Sequence, residues 1–376
     1  MGFLPFARPT IDEAMVAAVA ETLRSRWIAS GPKVLAFERA LSDHAGGRPV
    51  RALTSATAAM EVALELAGIG PGDEVITPAQ SFFASANVIE RRGARAVFVD
   101  VELANRNLDW AAAEAAVTPR TRALLPVHYN APLDPARIAV FARRHGVRVV
   151  EDAALALGSV AGGRPVGASG DLVSFSFHPN KNLTTIEGGA LVLNDEREAA
   201  RVERLRFHGI RRLEDGTRDV EVAGGKYNLS DVSASLGLAQ WPHLDAWCAA
   251  RARLARRYFE GLAGESLLAP ESLPPRENPG PSWTMFTVLL PLAQMRITRA
   301  QFVEAMRREG VGIGISYEAL HLTTLFRAKG GREGQFPVAE RIARETVTLP
   351  LFPEMTEGDV ERVCAALGRS LRAKAA

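Results

Sequence analysis

Short apolar runs alternate with longer stretches rich in alanine and leucine from about residue 49 onwards. The short runs contain many β-branched residues and predict strands, whereas the longer stretches repeat apolar residues at helical spacing. Apolar strands that are separated by helices are typical of a mostly parallel sheet with helices on both faces. The pattern therefore predicts an α/β fold, and such folds bind ligands beyond the carboxyl ends of their strands.

The bounds of the expected elements follow from the same alternation. We expect strands at residues 50–53, 74–77, 96–99, 123–127, 147–150, 172–176 and 190–193. We expect helices at residues 56–67, 81–92, 109–116, 135–145 and 196–206. A further helical stretch runs from residue 230 to residue 262. Pro242 should kink or divide it, because proline lacks the N–H that a helix interior uses.

The length of the chain and a proline-rich passage predict two domains. A chain of 376 residues is long for a single domain. Five prolines lie within residues 269–281, between the long helical stretch and the carboxyl-terminal part of the chain. We therefore expect an amino-terminal segment and a large α/β domain over residues 1–262, and a smaller α+β domain over residues 263–376.

Charge and cysteine content argue against several classes of function. The formal net charge is +2 and the charged residues are interspersed, which is not typical of a nucleic-acid-binding protein. Cys248 and Cys364 lie far apart in no metal-binding motif, so we expect neither a disulfide nor a metal site. Because the sequence has no run of about 18 apolar residues, we expect no membrane insertion and a cytoplasmic location.

One lysine, Lys181, lies in a loop where this fold class places its sites. Only five of the 45 Lys and Arg residues are lysines, and this one stands between the apolar runs at 172–176 and 190–193. Arginine stays protonated, whereas a lysine whose pKa is lowered by burial can form an imine with an aldehyde. A single lysine is more often a surface residue, but the apolar flanks favour a covalent role here.

Three further segments carry groups that suit a flat, phosphorylated cofactor. Asp152 follows the run at 147–150, where its carboxylate either keeps a pyridine nitrogen protonated or caps a helix. Residues 54–59 open a helix, and they form either a phosphate site of backbone N–H groups or an ordinary helix cap. Phe82 and Phe83 follow the run at 74–77, where a ring either stacks on a ligand or joins the core.

Motifs of other enzyme classes are missing from the sequence. It contains no GxGxxG after a strand, no Walker loop, no HExxH and no GxSxG. Dinucleotide-binding, zinc-protease and serine-hydrolase functions are therefore not indicated.

Several motifs in a fixed order resemble those of one enzyme family. They are Ser55-Ala-Thr-Ala-Ala59, Gly70-Pro-Gly-Asp-Glu-Val75, Phe98-Val-Asp-Val101, Glu151-Asp-Ala-Ala154, Phe175-Ser-Phe-His-Pro-Asn-Lys181 and Glu187-Gly-Gly189. The chain is similar, nearly from end to end, to pyridoxal 5'-phosphate (PLP)-dependent sugar aminotransferases of the DegT/StrS group. The resemblance implies fold type I, which is like aspartate aminotransferase: a mostly parallel sheet sandwiched by helices, plus a smaller carboxyl-terminal α+β domain.

The resemblance also implies a role for each residue of the site. Lys181 would hold PLP as an imine and act as the catalytic base, and Asp152 would pair with the pyridine nitrogen. Phe82 would stack on the ring of the cofactor. The other implied residues are the phosphate contacts Ala56, Thr57, Ala58 and Ser176, the contact Asn228 from the neighbouring subunit, and Trp27, Ser30 and His321 on the substrate side.

The substrate that the resemblance implies is a nucleotide sugar. The chain is most similar to enzymes that aminate a UDP-4-keto-pentose to UDP-4-amino-4-deoxy-L-arabinose, which is used to modify lipid A. It also implies glutamate as amino donor, 2-oxoglutarate as product and an obligate homodimer with shared active sites. A UDP- or dTDP-linked 4-keto-hexose is the alternative substrate, and a non-catalytic regulatory protein the alternative function. The closer similarity rests on Phe3-Leu-Pro-Phe6, Gly31-Pro-Lys33, Pro126-Val-His-Tyr129 and Lys226-Tyr-Asn-Leu-Ser-Asp231.

Two residues depart from the family pattern. Leu155 stands where the family usually has Gln or His close to the phenolic oxygen of the cofactor. Asn130 replaces a glycine, so the resemblance implies a sugar pocket that differs from the usual one. A related group of sugar 3-dehydratases has histidine in place of the lysine, and Lys181 therefore argues against dehydration.

Overall fold

The computed structural model of the chain describes residues 2–129, 131–276, 280 and 282–373. Asn130, Pro279 and Pro281, which entered the expectations above, lie outside the described residues. The strands are β1 (Val50–Leu53), β2 (Glu74–Pro78), β3 (Arg95–Val99), β4 (Thr121–Leu124), β5 (Arg148–Asp152), β6 (Val160–Ala161), β7 (Arg164–Pro165), β8 (Leu172–Ser176), β9 (Gly189–Val192), β10 (Ile210–Arg212), β11 (Arg218–Val220), β12 (Phe286–Leu289) and β13 (Thr346–Leu349).

Helices connect and cover these strands. None of those described is long and apolar enough to cross a membrane. They are α1 (Glu13–Ser25), α2 (Pro32–His44), α3 (Ala56–Leu66), α4 (Phe83–Arg91), α5 (Trp110–Ala115), α6 (Pro135–His145), α7 (Glu196–Leu205), α8 (Asp231–Gln240), α9 (Leu244–Leu262), α10 (Arg299–Arg308), α11 (Thr324–Arg327), α12 (Pro337–Glu345) and α13 (Glu357–Leu371).

A seven-stranded sheet in the order β1-β9-β8-β5-β4-β2-β3 forms the centre of the larger part of the molecule. The neighbours from β8 to β3 are all paired in parallel. Strand β9 is antiparallel to both β8 and β1. These seven strands are the ones that the alternation predicts, and the expected mostly parallel sheet is confirmed.

Helices cover both faces of this sheet because alternate strand residues point in opposite directions. Val150 and Leu172 belong to the apolar cluster that contains residues of α3, α4 and α7. Val149 packs with residues of α5 and α6, and Val173 packs with residues of α2 and α8 on the opposite face. Burial of each such side chain contributes about 1.5–3 kcal/mol, which is why the strands read as continuous apolar runs.

Local signals explain the bounds of helix α6, which agree with the expected 135–145. Asp134 caps its amino end by accepting a 2.9 Å hydrogen bond from the Ala136 N–H. Pro135 occupies the first turn, where its missing N–H costs nothing. Gly146 ends the helix in a left-handed conformation with φ of 63°.

The remaining expected bounds are met within three residues. Strand β4 ends at Leu124 rather than at residue 127, and Val127 instead forms an isolated bridge to Asp152. Helix α4 begins at Phe83 rather than at residue 81. The stretch from 230 to 262 is divided, as expected, by a short 3₁₀ turn at Trp241–His243 that contains Pro242.

A separate apolar core contains the carboxyl-terminal elements. Strands β12 and β13 pair antiparallel, and their buried residues pack with α10 and α13. The second half of α9 belongs to the same core, and its Tyr258 hydroxyl donates a 2.7 Å hydrogen bond to the Pro350 carbonyl. Leu244, at the start of α9, packs instead in the core of the large sheet. The domain division at residue 262 stays a prediction.

Candidate active site

A cavity of about 320 Å³ lies at the carboxyl ends of β5 and β8, next to the amino end of α3. A larger cavity of about 730 Å³ lies elsewhere, near the amino ends of β2 and β3, and neither Lys181 nor Asp152 lines it. We assign the site to the smaller cavity because that one brings together most of the expected residues. Those that line it are Ala56, Thr57, Phe82, Asp152, Ser176 and Lys181.

The Lys181 amine is available for chemistry. The backbone N–H of Lys181 donates to the His178 carbonyl at 2.9 Å and fixes the loop. The side chain is partly buried, and this desolvation lowers the pKa of Lys181 to about 8, while the charge of Asp152 opposes the shift. Within the described part of the chain, its Nζ has no hydrogen-bond or ion-pair partner. Roughly a tenth of the amine is therefore unprotonated at pH 7, far more than for an ordinary lysine, and the unprotonated amine is the form that a nucleophile requires.

Asp152 is the last residue of β5, and its carboxylate is buried and held by two donors. Its Oδ2 accepts a 2.8 Å hydrogen bond from the Ser85 hydroxyl, and its Oδ1 accepts one of 3.1 Å from the Ala154 N–H. Residues 153–159 form turns, so the alternative of a helix cap does not apply. The geometry leaves Asp152 at the wall of the cavity as a fixed acceptor.

The amino end of α3 presents an anion site to the cavity. Ser55 caps this helix by accepting a 3.0 Å hydrogen bond from the Ala58 N–H. The expected phosphate contact from the Ala58 N–H is therefore already used for capping. The amides of Ala56 and Thr57 have no acceptor in the described residues, as the first amides of a helix lack one within it. Their N–H groups and the positive end of the helix suit a phosphate.

Aromatic and apolar side chains form the remaining wall. Phe82 is 51% exposed, so it does not belong to the core. Its ring centroid lies 5.7 Å from that of Tyr317, at an interplanar angle of 61°. Burial raises the pKa of Tyr317, which keeps its phenol protonated. Leu155, which also lines the cavity, packs against Tyr129, Met285 and Tyr317.

Three of the expected residues lie outside the cavity that contains Lys181. The Asn228 Nδ2 donates to the Ser30 hydroxyl at 2.5 Å, and that hydroxyl donates to the Leu229 carbonyl at 2.5 Å. Trp27, which is close to Ser30 in the sequence, is 60% exposed. None of the three lines the cavity that contains Lys181.

His321, which was expected on the substrate side, does not line the cavity that contains Lys181. Its Nε2 lies 3.0 Å from Glu340 Oε1, and both side chains are buried. Burial lowers the pKa of His321, so its imidazole is neutral at ordinary pH. It lines the larger cavity rather than the one that contains Lys181. In this structure His321 contacts Glu340, and its expected contact with the substrate stays a prediction.

Two residues of the site escaped prediction from the sequence. Tyr317 comes from the carboxyl-terminal part of the chain, and no local signal marks it. Ser85 reaches Asp152 from α4, and the available signal was a pair of serines, Ser81 and Ser85, at helical spacing in an apolar segment.

The residues that line the cavity fit PLP. An amine, a buried carboxylate, an exposed ring and two unpaired helix amides match an aldehyde, a pyridine nitrogen, a flat ring and a phosphate respectively. Gly189 supports the fit, because a Cβ there would lie 2.3 Å from the Ala56 nitrogen and disturb the anion site. No cluster of three or more potential metal ligands occurs among the described residues.

Comparisons with known proteins agree with this geometry. The model of the DegT/DnrJ/EryC1/StrS aminotransferase family matches residues 9–368. The aminotransferase TlmJ from Streptoalloteichus hindustanus is 33% identical, with a TM-score of 0.89 and 98% of each chain covered. DesV of S. venezuelae is 32% identical, with a TM-score of 0.89 and 100% of each chain covered. Spr1654 from Streptococcus pneumoniae, a candidate sugar aminotransferase solved in its PLP form, is 30% identical, with a TM-score of 0.90 and 98% of each chain covered.

Proposed function

Within the DegT/DnrJ/EryC1/StrS aminotransferase family, to which this chain belongs, we propose that it aminates the 4-keto group of a nucleotide-linked sugar. The chain is a PLP-dependent aminotransferase of fold type I. The observation that carries the proposal is an unpaired Lys181 amine with a lowered pKa, in one cavity with Asp152 and the open end of α3.

Lys181 has two tasks in this proposal. When bound, PLP supplies an electron sink that stabilises negative charge on the carbon next to the reacting nitrogen. Lys181 Nζ first holds the cofactor, and once an amino donor has displaced it, the same amine takes a proton from the α-carbon of that donor. In the opposite half-reaction it returns a proton to the sugar carbon. Both tasks need an amine whose pKa lies near the working pH.

The other residues of the site hold and orient the cofactor. Asp152 accepts a hydrogen bond from the pyridine nitrogen and keeps that nitrogen protonated, and Phe82 contacts a face of the ring. The amides of Ala56 and Thr57, with the hydroxyls of Thr57 and Ser176, hold the phosphate at the positive end of α3. The wall of Phe82, Leu155 and Tyr317 excludes water from the reacting carbon.

Asn228, Trp27 and Ser30 act in the active site of a neighbouring protomer. They lie outside the cavity that contains Lys181, and several apolar side chains of the amino-terminal region, which contains Trp27 and Ser30, are exposed. Such exposed apolar groups are typical of subunit interfaces. We therefore propose a homodimer with shared sites. The exposed apolar residues are Trp27, Ile28, Leu35 and Val16.

The proposed sugar is a UDP-4-keto-pentose, with glutamate as donor and a product that is used to modify lipid A, and the proposed location of the enzyme is the cytoplasm. The motifs that support this choice are those at residues 3–6, 31–33, 126–129 and 226–231. Leu155 is the observation that favours the alternative, a UDP- or dTDP-linked 4-keto-hexose, because it makes part of the wall apolar where related enzymes are polar.

A panel of nucleotide keto-sugars tests the substrate. The purified enzyme is given glutamate with a UDP-4-keto-pentose, a UDP-4-keto-hexose or a dTDP-4-keto-hexose, and the release of 2-oxoglutarate is measured. We expect the highest kcat/KM for the pentose. A clear preference for either hexose would replace the pentose in the proposal, and no turnover of any sugar would defeat it.

A further inference from the structure

A chain of hydrogen-bonded hydroxyls links helix α4 to the carboxylate of Asp152. The hydroxyls of Ser81 and Ser85 lie 2.8 Å apart, and the Ser85 hydroxyl lies 2.8 Å from Asp152 Oδ2. All three residues are buried, and Ser85 is 0% exposed. No role was expected for either serine.

The direction of the chain follows from the number of protons. An ionised carboxylate only accepts, so Ser85 donates its one hydroxyl proton to Asp152. The Ser85 oxygen can then only accept from Ser81, and Ser81 is therefore the donor. The order of donation is Ser81 to Ser85 to Asp152.

Neither serine is explained by the needs of the helix. Ser81 does not cap α4, since the capping position is Phe82 and no side chain makes a capping hydrogen bond there. A buried serine inside a helix is less favourable than alanine by a few tenths of a kcal/mol, and its hydroxyl costs more if it is unpaired. Ser85 lies inside the helix and Ser81 lies just before it, and the hydrogen bonds of both hydroxyls lead to Asp152, so we assign the two serines a task at this carboxylate.

The two donors fix the carboxylate completely. Asp152 Oδ1 accepts a hydrogen bond from the Ala154 N–H, and Oδ2 accepts one from the Ser85 hydroxyl. The carboxylate therefore cannot rotate without breaking one of these bonds. The Ser85 N–H also bonds the Phe82 carbonyl at 3.2 Å. The turn that supports the carboxylate is thus the turn that carries the ring of Phe82.

We propose that Ser85 is a positioning residue for Asp152, and that Ser81 acts on the same carboxylate only through Ser85. Together they aim the carboxylate at the pyridine nitrogen of PLP and align it with Phe82. The proposal rests on the proposed function, because it assumes that Asp152 is the partner of that nitrogen.

Three variants and one control test the proposal. They are Ser85→Ala, Ser81→Ala, the double variant, and the control Ser235→Ala, which removes a buried serine of α8 whose hydroxyl, among the described residues, bonds only the Val232 carbonyl. Cofactor-free protein is titrated with PLP to obtain Kd. The absorbance of bound PLP is followed against pH, and thermal unfolding of the cofactor-free protein reports any general loss of stability.

We expect Ser85→Ala to raise the Kd for PLP about tenfold, the size expected for one hydrogen bond to a charged group. The pH midpoint of the absorbance change should move upward, because a pyridine that loses its proton draws fewer electrons from the nitrogen that joins Lys181 to the cofactor. Ser81→Ala should act in the same direction but less. The double variant should equal Ser85→Ala, since the two residues act in series.

Two outcomes would overturn the proposal. One is a Ser85→Ala variant whose Kd and pH midpoint equal those of the wild type and of Ser235→Ala. The other is a double variant whose effects are the sum of the single ones, which would make Ser81 independent of Ser85. Failure of the wild type to bind PLP would instead defeat the proposed function, so the two failures are distinct.

Discussion

Gly189, the first residue of β9, packs closely against the backbone of Ala56, the first residue of α3. A Cβ on Gly189 would stand 2.3 Å from the Ala56 backbone nitrogen, which is closer than any non-bonded contact allows. Because the obstructing atoms are backbone, they cannot move aside as a flexible side chain would. The absence of a side chain at residue 189 therefore keeps the anion site of α3 open.

Gly189→Ala should weaken PLP binding and lower stability by about 1–3 kcal/mol, the usual cost of forcing atoms into a packed region. Titration with PLP and thermal unfolding of the cofactor-free protein measure the two effects. Gly70→Ala is the matched control, because a Cβ there meets nothing within 4 Å. A Gly189→Ala variant that behaves like Gly70→Ala would contradict the close approach.

Covalent attachment of PLP to Lys181 should depend on pH with a midpoint near 8. Burial lowers the pKa of this amine to about 8, so its nucleophilic form is lost as pH falls through that value. The rate of attachment to the cofactor-free protein, measured by absorbance from pH 6 to pH 10, should therefore reach half its maximum near pH 8 and level off above that value. A rate that keeps rising towards the ordinary lysine pKa would show that the amine is not desolvated.

Leu155 should contribute more to packing than to chemistry. It is buried against Tyr129, Met285 and Tyr317, and Leu155→Ala should cost about 2–5 kcal/mol of folding free energy because it leaves a cavity. Leu155→Gln should keep transamination and change the absorbance of bound PLP by placing an amide beside it. Unfolding experiments and absorbance spectra of the two variants check this. Complete loss of activity in Leu155→Gln would show that Leu155 is required for catalysis.

Much of this site could be predicted because its parts are local. Lys181 and Asp152 stand at the ends of apolar strands, and strand ends in an α/β sheet meet at one edge. Tyr317 and the Ser85–Asp152 contact depend on which distant segments pack together, which no local pattern encodes. His321 shows what a motif alone leaves open: the resemblance implied a substrate contact, and the structure adds a contact with Glu340 and a place outside the cavity that contains Lys181.

Complementation between protomers should test the shared site. Asn228→Ala alone should weaken PLP binding about tenfold if its amide reaches the phosphate of the partner. Co-expressed Lys181→Arg and Asn228→Ala chains should form mixed dimers in which one site has both native residues. We expect isolated mixed dimers to recover transamination activity, and an activity assay on them measures this.

The mixed dimers distinguish a site that is shared between protomers from a site that lies within one protomer. Only the shared arrangement gives a mixed dimer one site with both native residues. If Asn228 acted within its own protomer, no site of the mixed dimer would hold both native residues. Activity no higher than that of the parent homodimers would then exclude a shared site.

The most direct test of transamination through Lys181 compares the wild type with Lys181→Arg in the presence of PLP and glutamate. Circular dichroism first verifies that the variant is folded. We expect the yellow absorbance of wild-type protein to bleach on addition of glutamate, with release of 2-oxoglutarate, and we expect no turnover in Lys181→Arg because arginine stays protonated. Transamination by Lys181→Arg at the wild-type rate would contradict the account.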